Sequence, residues 1–358
     1  MTDSDNIIFD TASRIFDDLS TAEVINEAEE GKWPEDLWQA VSESGLTLAW
    51  VPEDNGGVGA SMLEGFAVIK AAGGAAVPVP IAETLFAGWL LAQAGLQVSG
   101  EAATVVTGDL SLVDGKLSGS AQGVPFARNV REIVALVETA DQVQVVQLDV
   151  SQLDAGQCEI TAQTNLAGEP SDNVTFNAAA VAQTGVPVQG FNGQSVEAMG
   201  ALIRCVQAAG ALSTALELTI EYSMERVQFG RAIGKFQALQ HSIAGFAGEV
   251  AAMNAAADSA AEAVDRAPDI DHEAWIEIAT AKTRLEEAVN NGAAVAHQVH
   301  GAMGFTYEHS LHHLTRRLWA WRDEFGSDVI WARRLGEEVL SWGAEGLWPA
   351  ITAVSDAR

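Results

Sequence analysis

Residues 225–242 read ERVQFGRAIGKFQALQHS, two Arg, one Lys, three Gln and two Phe set around Gly230 and Gly234. On its N-terminal side Leu202, Val206, Ala209, Leu212 and Leu216 recur at three- and four-residue spacing, with small Ala and Gly between them. That is the pattern of a helix whose neighbours approach closely. Helical periodicity continues beyond the stretch, and four long helices are predicted, roughly 196–225, 234–266, 271–301 and 308–342, forming a four-helix bundle. Pro268 with Asp265, Asp269 and Asp271 marks an exposed connection after the second. At the junction of the first two helices, arginine's planar fork suits a diphosphate, a glutamine amide suits an adenine or ribose edge, and glycine admits close backbone approach. A charged inter-helix turn needing no ligand has the same composition.

Upstream, residues 101–190 consist of short β-branched runs such as REIVALVE and QVQVVQLDV separated by turns, and predict a small β domain. Residues 6–100 read as short helices, for example WPEDLWQAVSESGL with Trp33, Leu37, Trp38 and Val41 on one face. Between them VPEDNGGVGAS holds Pro52 and Gly56, Gly57 and Gly59, a turn that needs positive φ or close approach. The predicted fold class is α+β and multidomain, with a helical domain over 1–102, a β-sandwich or barrel-like domain over 103–192 and the bundle over 193–358.

The 358 residues are 48% hydrophobic and 19% charged, a globular composition, and hold no charge-free apolar run of 18 residues. The N-terminal MTDSDNIIFD is acidic and unlike a signal peptide, and only Cys158 and Cys205 occur, so a cytoplasmic location is expected. A net charge of −30 argues against a nucleic-acid partner, and a membrane partner is not expected either. Of 19 Lys and Arg, 13 lie in residues 191–358, where the cations for a phosphorylated ligand would be found. The second informative stretch, AHQVHGAMGFTYEHSLHHLTRR, holds five of the seven His. His309, His312 and His313 fall at helical spacing, yet no second motif completes a metal-ligand set, and no metal is predicted. Gln298-x-x-Gly301 reads better as a helix C-terminus facing a ligand. No GxGxxG, GxxxxGK[ST], GxSxG or CxxC is present.

In this order, VPEDNGGVGAS, RVQFGRAIGKFQALQ and QVHGAMGFTYEHSL resemble three signatures of the acyl-CoA dehydrogenase family, and the likeness runs over nearly the whole chain. It implies that FAD binds across a subunit interface, with the β domain of one subunit holding the flavin ring and the bundle of its neighbour gripping the ADP end. Carried over position by position, Arg226 meets the diphosphate with Gln228, Phe229 and Gln237 beside it, and Gln298, Gly301 and Ala302 approach the adenosine half. Ala302 stands where the family has a second glycine.

Two departures accompany the likeness. The family's TEP-x-AGSD loop and W-x-(T/S)-(N/G) strand, which lie against the flavin and thioester, correspond here to VVTGDLSLVDG and GVPFARN. The family's base is a Glu before the last helix, where this chain has Phe325, or a Glu on the first bundle helix, where it has Ala201, Leu202 and Ile203; Glu324 is one residue off. No catalytic residue is therefore assigned. An ADP clamp without a flavin face or base resembles the shorter, degenerate subunit of bacterial α2β2 acyl-CoA dehydrogenases of steroid side-chain breakdown. The resemblance implies a homologous partner with the flavin face and Glu, an acyl-CoA substrate and an electron-transfer flavoprotein as acceptor. A homotetrameric acyl-CoA dehydrogenase using Glu324, and a scaffold subunit without flavin, are the alternatives.

Overall fold

The computed structural model describes residues 3–138 and 143–356. A helical layer comes first, with α1 (Asp3–Leu19), α2 (Ala22–Glu29), α3 (Glu35–Glu43), α4 (Met62–Gly74) and α5 (Ile81–Gln93). The start of α4 is fixed by its sequence. Ser61 Oγ accepts from the Glu64 N–H at 3.1 Å while the Glu64 carboxylate accepts from the Ser61 N–H at 2.7 Å, a reciprocal cap that satisfies two amides the helix leaves free. The three-glycine turn before it needs both properties expected of it. Gly56 and Gly59 take φ of 92° and 66°, and a Cβ on Gly57 would lie 1.9 Å from the Val51 carbonyl oxygen.

Eight strands follow: β1 (Ala103–Val106), β2 (Asp109–Val113), β3 (Lys116–Pro125), β4 (Glu132–Glu138), β5 (Val143–Asp149), β6 (Cys158–Thr161), β7 (Ser171–Ala180) and β8 (Gln183–Gly185). They form two four-stranded sheets, β1-β4-β5-β8, in which β1 and β4 run parallel, and the antiparallel β2-β3-β7-β6. Alternation along β4 explains its unbroken apolar run. Ile133, Ala135 and Val137 join the core between the sheets with Leu117, Val174 and Phe176, while Val134 and Leu136 join the helical core that includes α5. A strand buried on both faces loses the polar alternation of a half-exposed one.

The chain then enters α6 (Gly193–Glu225), a hairpin of β9 (Val227–Gln228) and β10 (Arg231–Ala232), α7 (Gln237–Arg266) and α8 (His272–His300). By length and composition α6 could cross a membrane, but 83% of its most apolar window is buried inside the protein. It crosses α4 backbone to backbone: a Cβ on Gly210 would sit 2.0 Å from the Lys70 carbonyl oxygen, and one on Gly73 would sit 2.1 Å from that of Gln207. One buried apolar cluster consequently runs through the N-terminal helices and the bundle.

The stretch predicted as a single helix over 308–342 is broken. It forms α9 (Leu311–Trp321) and α10 (Asp328–Ser341), and α11 (Gly343–Asp356) follows. Phe325 and Gly326 lie at φ of 54° and 92°. The break is held from α8. Lys282, 1% exposed, donates to the carbonyls of Trp321, Arg322 and Glu324 at 3.3, 2.8 and 2.7 Å, taking up acceptors that the end of a helix leaves without partners. Trp331 Nε1 donates to the Phe325 carbonyl at 2.8 Å.

Candidate functional site

The candidate ligand-binding residues lie at one end of the bundle, and all are exposed: Arg226, Gln228, Phe229 and Gln237 around the β9–β10 hairpin, Gln298, Gly301 and Ala302 at the end of α8. The hairpin pairs Gln228 with Arg231 and Val227 with Ala232, which sets Phe229 at its tip, 93% exposed and at φ 52°. The Arg231 guanidinium lies 4.2 Å over the Phe236 ring. Tyr222, one turn before Arg226, stacks on His300 at 4.6 Å, and this contact brings the two distant stretches of sequence side by side. Among the described residues Arg226, Arg231 and Lys235 enter no ion pair. On a chain of charge −30, three unpaired cations at one place form a local anion-attracting surface.

A second feature is a cavity of about 660 Å³ where the β domain meets the bundle. Its walls come from the β1–β2 connection, β3, the end of β4, the first turn of α6 and the segment Glu324–Gly326. Asp109, Glu138, Glu197 and Glu324 line it, and no Lys or Arg does. Three of these carboxylates have structural partners. Glu138 accepts the Gly193 N–H at 2.6 Å, a favourable place for an anion at a helix N-terminus; Glu197 pairs with Arg334 at 2.8 Å, and Glu324 with Arg204 at 2.6 Å.

Arg204 is the residue that periodicity did not single out. It is 3% exposed, and besides Glu324 it donates to Glu83 at 2.8 Å and to Gln207 Oε1 at 2.5 Å. Burial works to lower its pKa, but the carboxylates of Glu324 and Glu83 outweigh burial and hold it above the usual arginine value. Burial pushes the Glu83 carboxyl up against the pull of Arg204. From Glu324 the line of charges continues through Asn165 (3.5 Å) to Glu169 (3.0 Å), then Arg317 (2.9 Å), with Glu29 and Arg316 beyond it (2.8 Å). The network crosses all three layers. Its signal in sequence was slight but present: Arg204 is a lone charge within an apolar helical run, and Glu83 likewise in IAETLFAGW.

Phe325 turns inward beside this network. A Cβ on Gly200 would lie 2.4 Å from the Phe325 ring, so a glycine on α6 makes room for the ring, and Phe86 meets it edge-on at 6.0 Å. Further along α6, burial pushes the Cys205 thiol up to about 12. Among the described residues no group of three or more His, Cys, Asp or Glu could hold a metal ion.

Residues 197–340 match the acyl-CoA dehydrogenase C-terminal domain and residues 2–98 the N-terminal domain of the same enzymes. Acyl-CoA dehydrogenase FadE27 of Mycobacterium tuberculosis is 30% identical over 349 residues, covering 87% of this chain and 89% of FadE27. The chain belongs to the acyl-CoA dehydrogenase family. Acyl-CoA dehydrogenase IpdE2 of Mycolicibacterium smegmatis is 27% identical over 345 residues, 95% of this chain and all of IpdE2. In fold, the chain resembles the ChsE4-ChsE5 complex of Mycobacterium tuberculosis, with a TM-score of 0.85 at 24% identity over 95% of this chain and 98% of that one. A steroid acyl-CoA dehydrogenase, Tcur3481-Tcur3483 in its G363A variant, gives 0.83 at 22% over 95% and 99%. An acyl-CoA dehydrogenase is an oxidoreductase acting on a CH–CH bond. The fold expected from the sequence, helices then β domain then helical bundle, is the fold observed.

Proposed function

We propose that this chain is one subunit of an FAD-dependent acyl-CoA dehydrogenase, that it carries the ADP-binding half of the FAD site, and that a homologous partner supplies the flavin face and the catalytic Glu. The observation that carries this reading is the fate of the base position. Phe325 packs against Gly200, and the adjacent Glu324 is ion-paired with a buried guanidinium. A base must reach the proton it removes and must be free to accept it. Neither side chain meets both needs.

The residues present fit one half of the cofactor and not the other. Arg226 with two neighbouring unpaired cations, glutamine amides and the open backbone at Gly301, where a Cβ would meet nothing within 4 Å, is a donor set for a diphosphate and a nucleoside. The junction cavity has four carboxylates and no cation on its walls, so it lacks what the diphosphate of a second FAD would need. When bound, FAD supplies the hydride acceptor for α,β-desaturation of an acyl-CoA thioester. This chain's part is to hold the nucleotide end. The likeness to ChsE4-ChsE5, a complex of two different chains, supports a heteromeric assembly, and the likeness to a steroid acyl-CoA dehydrogenase supports a steroid side-chain CoA ester as substrate. An electron-transfer flavoprotein as acceptor and a cytoplasmic location complete the reading.

Flavin stoichiometry tests it. The chain purified alone should be colourless, and co-purified with a homologous partner subunit should carry one FAD per heterodimer by visible absorbance. A lone chain with one FAD per subunit would overturn the reading and make Glu324 the residue to mutate.

A further inference from the structure

The turn Gly301–Ser310 between α8 and α9 rests on imidazoles. A Cβ on Gly304 would lie 3.0 Å from His300 Cβ and 3.2 Å from His297 Nδ1, so the turn backbone is in close contact with both residues. Phe305 of the turn stacks on His297 at 4.2 Å, and Trp319 of α9 covers the other side at 5.9 Å. His309 meets His300 at 4.7 Å, and Tyr307 meets His312 at 5.6 Å. His312 in turn lies 3.9 Å from His313.

Hydrogen bonds fix how these rings are protonated. His300 Nδ1 and His312 Nδ1 face the carbonyls of Ala296 (2.8 Å) and His309 (2.7 Å), so each carries its proton there. Their Nε2 atoms are buried without a partner. Thr315 donates its hydroxyl proton to the His312 carbonyl and therefore accepts from His297 Nε2 at 2.8 Å, leaving His297 Nδ1 bare and buried. His309 Nδ1 accepts the Leu311 N–H at 3.1 Å. All four rings are thus read as neutral; His297 Nδ1 and His312 Nε2 are bare, enclosed nitrogens on which a second proton would find no acceptor, while a second proton on His300 would face the Leu218 carbonyl.

The charges facing this layer do not supply one. Glu29 of α2 is engaged by Arg316 at 2.8 Å, with Arg317 at 4.0 Å and the His313 ring at 3.4 Å. From α6 come Tyr222 and the Leu218 carbonyl, an uncharged acceptor for His300 alone, and from α2 also Asn26, which donates to the Tyr307 carbonyl at 3.4 Å. We propose that the layer of His297, His300, His309 and His312 is a proton-sensitive seat for the turn Gly301–Ser310, which is held while the imidazoles are neutral and released when they are charged. The site affected is the one that holds Gly301 and Ala302, so protonation would weaken the grip on the nucleotide end; that consequence, not the device itself, rests on the function proposed above.

The sign is set by burial. Burial lowers the proton affinity of all four rings below the ordinary imidazole value of 6.5, and neighbouring rings lower it further for His297, His309 and His312. A folded-state pKa below the unfolded one gives stability that is present above the unfolded value and is lost as pH falls through the window down to the folded value. The seat is intact at neutral pH and weakens progressively as pH falls below about 6.5.

Amide hydrogen exchange of the full-length chain tests the device without flavin or partner. Between pH 7.5 and 5.5, corrected for intrinsic exchange, protection across 301–310 should fall about tenfold or more, because each pH step of one changes the charged-to-neutral ratio of an imidazole about tenfold, while α4 and α6 stay protected. The variant His297→Gln/His312→Gln should lose most of this pH dependence. If that variant is unstable, the titration of the wild-type imidazole Cε1 protons by NMR decides instead. Rings titrating at or above 6.5, or a turn whose protection is the same at both pH values, would overturn the proposal. A turn that opens with acid while the co-purified enzyme carries no FAD would leave the device standing and remove only its link to the nucleotide.

Discussion

Arg204 shows how one buried residue can engage the acids around it. Its guanidinium satisfies Glu83, Glu324 and Gln207 at once, and side-chain exposures of 4% for Arg204 and 7% for Glu83 mean that water cannot take its place. Removing one partner of a buried ion pair leaves an uncompensated charge, typically costing about 3–5 kcal/mol. Arg204→Met should therefore lower the unfolding free energy by that order, read from the urea midpoint of the full chain. Glu324→Gln should cost less, about 1 kcal/mol, because its carboxylate is 25% exposed and Arg204 keeps Glu83. In the co-purified enzyme Glu324→Gln should leave dehydrogenation intact. Loss of turnover with the fold preserved would instead identify Glu324 as the base.

Elements divide into those whose interactions lie along the chain and those fixed across it. The alternation of Ala and Gly on α6 announced a close helix crossing, because small residues at helical spacing have few other uses, and the crossing is found at Gly210 and Gly73. Short β-branched runs announced the β domain for a similar reason. The break between α9 and α10 was hidden. Trp321, Phe325 and Val329 keep a four-residue apolar spacing through it, and the groups that end α9 are the Lys282 ammonium reaching over from α8 and the Trp331 indole. The charged network was only hinted at: Arg204 and Glu83 stand as lone charges in apolar runs, but Glu83, Arg204 and Glu324 are far apart in sequence and their pairing appears only in the fold. The crossing yields a paired prediction. Gly210→Ala puts a methyl 2.0 Å from a backbone oxygen and should destabilise the chain by about 1–3 kcal/mol, the usual cost of overpacking. Gly248→Ala, on α7 with nothing within 4 Å of the added Cβ, should stabilise the lone chain by up to about 1 kcal/mol through helix propensity. Equal effects in urea unfolding would show that the α4–α6 contact yields to an added methyl.

At the scale of the whole molecule the question is how a chain of net charge −30 would hold the polyanion proposed for it. Overall repulsion falls off over a Debye length, about 8 Å at physiological salt, so distant carboxylates matter little beside cations in contact. The end of the bundle supplies such cations in Arg226, Arg231 and Lys235, and the Tyr222–His300 stack places them next to the exposed backbone at Gly301 and Ala302. A charge-assisted hydrogen bond from arginine to phosphate contributes about 1.5–3 kcal/mol, which corresponds to roughly 10- to 150-fold in affinity. Arg226 is exposed and makes no ion pair within the described chain, so Arg226→Ala should leave the unfolding midpoint of the lone chain unchanged while weakening FAD retention by the co-purified enzyme to that extent, measured by flavin release on dilution. Arg226→Lys should recover only part of the loss, because an ammonium keeps the charge but not the planar fork. If the chain is instead a scaffold that never touches the cofactor, all three proteins will retain flavin equally, and the unpaired cations will have to be explained by contacts to an acidic surface of the partner.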